Sequence, residues 1–206
     1  LSLHDALPIW GRPEEAYQLD ALMALADAEG VIVVRPRSRS SEEGPFGQVY
    51  RWDQNPGDIP RNIRFGRNLT RRLQELYAVD PDRVYASGFS SGSNMAAQYL
   101  DESELGLFRG VAPIAGGLFF TSVADIDDLD RPDAPRVYLA TGYRDYLLFS
   151  QRQLADALET AGLASDRVWL REYDTGHDLF AWHFPELFAF LDRGERPPED
   201  GLAQIG

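Results

Sequence analysis

A serine stands between two glycines in Gly88-Phe89-Ser90-Ser91-Gly92, directly after the apolar run Val84–Phe89 and directly before a stretch with helical character, Ser91–Leu100. A hydroxyl that is to attack a carbonyl must be raised above the sheet edge in a tight strand-to-helix turn. Side chains two residues either side would collide with the strand and the helix, and glycine removes that collision. The start of the helix offers backbone N–H groups and a positive dipole end to a developing oxyanion, and the N–H of Ser91 is the candidate donor. The five-residue pattern alone is a weak signal, and its placement between strand and helix strengthens it. The bland alternative is a glycine-rich β–α turn that binds nothing, or a phosphate.

A serine nucleophile needs a base, and the base needs an orienting acid. The chain has three histidines (His4, His177 and His183) and no cysteine, and all 20 of its basic residues are arginine. Thiol nucleophiles, disulfides, Schiff-base lysines, P-loop lysines and Ser–Lys dyads are therefore excluded. His177 follows Gly176 just past the run Val168–Tyr173, and Asp145 follows Gly142-Tyr143-Arg144 just past Val137–Thr141. Ser90, Asp145 and His177 thus fall, in that chain order, at the carboxyl ends of three strands, where a doubly wound sheet gathers its functional groups. Other residues compete for each role. His183 lies between Trp182 and Phe184 and reads as a filler on a helix. Asp174 and Asp178 flank His177, but neighbours in a tight loop rarely aim at one ring, and Asp178 suits a helix cap. Asp125, Asp127, Asp128 and Asp130 read as a solvated acidic run rather than a metal site, so no metal and no cofactor is expected.

Holding three loops on one edge requires a parallel sheet. Ala16, Leu19, Leu22, Met23 and Ala26 give Pro13–Glu29 helical spacing, stopped by Gly30. Val31–Val34 reads as a buried parallel strand. Arg35–Asn62 has no period and reads as a long functional loop. Arg64–Tyr77 is amphipathic, with Phe65, Leu69, Leu73 and Leu76 on one face. Strands are predicted at Val84–Phe89, Gly110–Ile114, Val137–Thr141 and Val168–Tyr173, and helices at Tyr146–Ala161 and Leu179–Leu191. This alternation predicts an α/β fold, a doubly wound, mostly parallel sheet with helices on both faces.

The 206 residues suit one domain, and 33 acidic against 20 basic side chains give a net charge of −13. That field repels phosphate backbones, so no nucleic-acid partner is expected, and no run reaches the length of a membrane span. The oligomeric state is not encoded in any visible feature. Leu1–Trp10 reads as a non-native arm with no secretory signal. The expectation is that the first strands of the sheet are missing and that a signal peptide could have been lost with them, which leaves cytoplasmic and secreted locations both open. The domain is then residues 11–192, followed by a loose polar tail over 193–206.

Over Gly11–Leu191 the chain resembles the α/β-hydrolase serine esterases, in particular the branch around polyhydroxyalkanoate depolymerases and feruloyl esterases. The resemblance is carried by Val79-Asp80-Pro81-Asp82-Arg83-Val84-Tyr85 leading into Gly88-Phe89-Ser90-Ser91-Gly92, then Gly142-Tyr143-Arg144-Asp145 and Gly176-His177-Asp178. It implies Ser90 as nucleophile, His177 as base, Asp145 as its partner and Ser91 N–H as one oxyanion donor. The family's second donor comes from a His-Gly loop after an apolar strand; Trp10 and Gly11 stand near that place, without the motif.

Aromatic residues in the loops suggest an apolar pocket, with Trp52, Phe89, Phe119, Tyr143 and Trp182 as candidate substrate-binding residues and Phe46, Tyr50 and Phe120 beside them. Between the strands at 110 and 137 there is no room for a large lid. The expected reaction is hydrolysis of small, aromatic or polymeric carboxylic esters through an acyl-enzyme. The alternatives are a peptidase or thioesterase with the same triad, or a non-catalytic α/β domain that binds a ligand or partner.

Overall fold

Five strands pair side by side in the order β1-β4-β5-β6-β7, and every pair is parallel. They are β1 (Ser2–His4), β4 (Tyr85–Phe89), β5 (Gly110–Ile114), β6 (Arg136–Gly142) and β7 (Val168–Tyr173). The computed structural model describes residues 2–4, 13–36, 38, 40–44, 47–52, 57–100, 106–117, 126 and 128–197. The other elements are helices α1 (Pro13–Glu29), α2 (Ile59–Leu76), α3 (Ser91–Ala97), α4 (Leu148–Thr160) and α5 (His183–Phe188), and a separate antiparallel hairpin of β2 (Ser40–Gly44) and β3 (Gly47–Arg51).

Strand residues alternate between two apolar layers, as a sheet covered on both faces requires. Ala86, Val111, Val137 and Leu139 pack with Met95 and Ala96 of α3 and Leu154 and Leu158 of α4. Tyr85, Ala112, Ile114, Tyr138 and Ala140 pack with Leu22 of α1 and Phe184, Leu187 and Phe188 of α5. The predicted parallel sheet with helices on both faces is the observed architecture. At the edge away from the functional loops, Asp192 fixes the chain beyond α5. It accepts from Arg83 Nε at 2.7 Å and from the Tyr85 hydroxyl at 2.6 Å.

Three expectations change, and a short strand is added near the start. Ser2–His4, inside the stretch read as a non-native arm, pairs in parallel with β4 in the register Ser2–Ala86, Leu3–Ser87, His4–Gly88. Val31–Val34 is not a strand; Val34 alone forms an isolated bridge and Ile32 is exposed. A strand persists only where a ladder satisfies its N–H and C=O groups, and the sheet ends at the three-residue β1, too short an edge for one. The aperiodic stretch 35–62 contains the β2–β3 hairpin and the first turn of α2, where Pro60 costs no helical hydrogen bond. In α2 the buried positions are Gly66 and Thr70, while Phe65 and Leu76 of the predicted apolar stripe are exposed. Residues 118–125 and 127, where a lid would be inserted, lie outside the described residues.

Candidate active site

The loops after β4, β6 and β7 meet at the carboxyl edge of the sheet. Ser90, one residue past β4, has φ 56° and ψ −117°, a conformation that L-residues avoid. The surrounding backbone holds it there. The Ser90 N–H donates to the Ile114 carbonyl at 3.0 Å, tying the turn to β5. A Cβ on Gly88 would lie 2.1 Å from the Gly92 carbonyl oxygen, so strand and helix cross in direct backbone contact. A Cβ on Gly116 would lie 2.7 Å from the Ser90 carbonyl oxygen. The Gly117 N–H donates to Asn94 Oδ1 at 2.8 Å, which fastens the loop after β5 onto α3.

Asp145 and His177 complete the group. His177 Nε2 lies 2.9 Å from Ser90 Oγ, and its Nδ1 lies 3.0 Å from each carboxylate oxygen of Asp145. An ionised carboxylate only accepts, so Nδ1 carries the proton and Nε2 is left to accept from the hydroxyl. The Asp145 side chain is fully buried, and the Leu147 N–H donates to its Oδ1 at 2.7 Å. The acid turn and the histidine loop are laced together through backbone. The Tyr143 N–H donates to the Tyr173 carbonyl at 2.7 Å and the Arg144 N–H to the Thr175 carbonyl at 3.0 Å. Gly142 makes this possible, because a Cβ there would lie 2.3 Å from the carbonyl oxygens of Thr175 and Gly176. The rival acid Asp174 is turned outward, its side chain 85% exposed. Such a constellation can take a proton from Ser90 Oγ as it attacks a carbonyl and return it to a leaving group.

No protein-family model matches the chain. In sequence it is similar to poly(3-hydroxyalkanoate) depolymerase C of Paucimonas lemoignei, 32% identical over 109 residues. It is also similar to NocK of Nocardia uniformis subsp. tsuyamanensis, provisionally named an esterase, 36% identical over 108 residues. Those matches take in 50% and 52% of this chain but only 24% and 30% of the two relatives. In structure it is similar to a carboxylesterase of Bacillus cereus, with a TM-score of 0.67 at 19% identity, covering 86% of this chain and 83% of that one. The fold is the α/β-hydrolase fold. The strained turn at Ser90 joins strand β4 to helix α3, which Ser91, the next residue, opens. The place that the resemblance assigns to the second oxyanion donor, near Trp10 and Gly11, lies outside the described residues.

The candidate pocket aromatics scatter. Phe89 is buried under the site, its ring 4.9 Å from that of His177. Tyr143 is exposed on the acid turn, and Trp182 stacks on Phe180 at 4.0 Å in the histidine loop. Trp52 does not line the site: at 3% exposure it belongs to the apolar layer with Val84, Ala86 and Met95. An aromatic residue in a loop satisfies the hydrophobic effect equally well by packing inward. Phe119, like Phe46 and Phe120, lies outside the described residues, as does the side chain of Tyr50. Sequence reading missed Tyr146, 74% exposed with its ring 4.6 Å from that of His177, and Phe149, 77% exposed. The available signal was two further aromatics within four residues of Asp145. A cavity of about 230 Å³ lined by Val31, Thr70, Leu73, Val79 and Val84 lies at the opposite end of β4. From Val84 to Ser90 the strand advances roughly 20 Å, so this cavity is no part of the site.

His183 is buried and holds its Nδ1 3.2 Å from the Phe180 N–H. Burial, helped by the charge of Arg171, pushes its imidazole down to about 3. The unfolded chain therefore takes up a proton below about pH 6.5 that the folded chain refuses. Stability is full above that pH and falls as the medium is acidified toward the folded value, by about 1.4 kcal/mol per pH unit from this group. Denaturant unfolding at pH 5.0 and 6.5 should show a smaller difference for His183→Asn than for the parent; equal differences would contradict the assignment.

Proposed function

We propose that this chain is a serine hydrolase of carboxylic esters, with Ser90 as nucleophile, His177 as general base and acid, and Asp145 as the group that orients and stabilises the imidazolium. The observation that carries this is the continuous chain of contacts Asp145–His177–Ser90 at 3.0 and 2.9 Å. His177 Nε2 takes the hydroxyl proton while Oγ bonds to the acyl carbon. The proton passes to the departing alkoxide oxygen, and water then repeats the sequence to release the acid and restore Ser90. The Ser91 N–H supplies one donor to the oxyanion.

The rim favours apolar acyl or aryl groups, small, aromatic or part of a polyester. Tyr146 stands exposed with its ring 4.6 Å from that of His177, and Tyr143 and Phe149 are exposed within four residues of Asp145, which offers apolar surface near the triad. The names of the two sequence relatives, a polyester depolymerase and an esterase, point the same way. The test is a substrate panel of p-nitrophenyl acyl esters, acyl thioesters and peptide p-nitroanilides. The esters should give the highest kcat/KM, and Tyr146→Ala should raise KM for aryl esters more than for acetate. Preferred turnover of thioesters or anilides would move the chain to the thioesterases or peptidases.

A further inference from the structure

Among the described residues four charged or chargeable Asp, Glu, Arg and His side chains are buried: Asp145, Arg171, His183 and Glu186. The first belongs to the triad, and the other three sit together beneath the histidine loop. Glu186 Oε2 accepts from the Tyr138 hydroxyl at 2.7 Å and from the Tyr173 hydroxyl, and Oε1 accepts from Arg171 Nη2 at 3.2 Å. The two tyrosine hydroxyls lie 3.1 Å apart. The Arg171 guanidinium lies over the rings of Trp169 and Tyr173 at 5.1 and 5.2 Å. The Tyr173 ring lies 5.1 Å from that of His183.

Stability alone gives little reason for such a cluster. Burying an ion pair costs desolvation, and well-packed apolar residues in its place are often neutral or stabilising. Its position gives a better reason. Tyr173 is the last residue of β7 and His183 the first of α5, so the cluster grips both ends of the loop 174–182 that carries His177. Within that loop His177 itself, the exposed pair Arg144–Asp174, the Phe180–Trp182 stack and Leu179, packed on the apolar layer with α5, add further side-chain contacts. A directional, charge-assisted network fixes the loop ends in one geometry, where apolar packing tolerates several.

We propose that Glu186, with Arg171, Tyr138 and Tyr173, is a positioning network for the reaction: it holds the two ends of the histidine loop so that His177 Nε2 stays within hydrogen-bonding reach of Ser90. This rests on the triad reading above. A shift of the base of about 1 Å is enough to cost on the order of 10²-fold in rate.

The test compares Glu186→Gln, Tyr173→Phe and the apolar pair Arg171→Met with Glu186→Leu, each beside the parent and Ser90→Ala. The measurements are Tm, kcat and KM for a p-nitrophenyl ester, and the rate at which a fluorophosphonate modifies Ser90. The expected result is a fall in kcat of about 10- to 100-fold, a KM within about twofold of the parent, and phosphonylation slowed by the same factor as kcat. The apolar pair should fold with a Tm near or above the parent's and still be slow. If Glu186→Gln fails to fold, Tyr173→Phe and the apolar pair decide. Parental kcat and phosphonylation rate in a folded apolar pair overturn the proposal, as does a lowered Tm with kcat per folded molecule unchanged. Turnover surviving in Ser90→Ala would instead remove the triad reading, and this network with it.

Discussion

Ser90→Ala and His177→Ala should each lower ester turnover by about 10⁴- to 10⁶-fold, and the double variant should be no slower than the worse of the two. The reason lies in how the pair works. Ser90 Oγ is a poor nucleophile until Nε2, 2.9 Å away, takes its proton, and the base has nothing to activate once the hydroxyl is gone. Losing either therefore removes nearly the whole unit. The residual rate comes from binding and from the oxyanion donor, which neither substitution touches. Steady-state hydrolysis of a p-nitrophenyl ester by the three variants measures this. Additive losses, or a Ser90→Ala protein retaining more than about a tenth of parental activity, would mean that the two side chains act separately or not at all.

Asp145→Asn should lower kcat by about 10⁴-fold and leave the fold intact, while Asp174→Asn should stay near parental. The carboxylate of Asp145 accepts the Nδ1 proton at 3.0 Å from either oxygen, fixing the tautomer in which Nε2 faces Ser90. An amide turned with its NH₂ toward the ring would favour the other tautomer, with the proton on the wrong nitrogen. Asn keeps the shape, and its Oδ1 can still accept from the Leu147 N–H, now 2.7 Å from the carboxylate, so the turn survives. Asp174 reaches no atom of the imidazole; its side chain pairs with Arg144 at 3.4 Å in solvent. Circular dichroism and kcat for the two variants separate the cases, and a dead Asp174→Asn beside a working Asp145→Asn would transfer the acid to the other residue.

Much of this was legible in the sequence because burial on both faces leaves a plain signature. β4, β5, β6 and β7 read as short apolar runs at nearly their observed bounds, and Ser90, Asp145 and His177 follow from where those runs stop. The same rule misleads at Val31–Val34, where β-branched residues lack an adequate edge to pair with. The hairpin β2–β3 escapes because Ser-Ser-Glu-Glu-Gly and Gly-Gln-Val-Tyr-Arg carry no clear apolar alternation. Side-chain direction is the harder quantity. Tyr146 reads as the first residue of a helix, yet α4 starts at Leu148, and the turn before it brings the ring beside His177. Trp52 reads as a rim residue and packs inward. The network around Glu186 joins β6, β7 and α5, and such a meeting of distant elements has no local pattern to announce it.

The most direct measurement is covalent. The folded chain is treated with a fluorophosphonate and its peptides are mapped by mass spectrometry. The phosphorus electrophile reports on a serine whose proton is being taken by a base, whatever acyl group the site prefers. The account predicts a single adduct on Ser90 that disappears in His177→Ala. An unmodified Ser90, or an adduct on another serine with Ser90 intact, would contradict it.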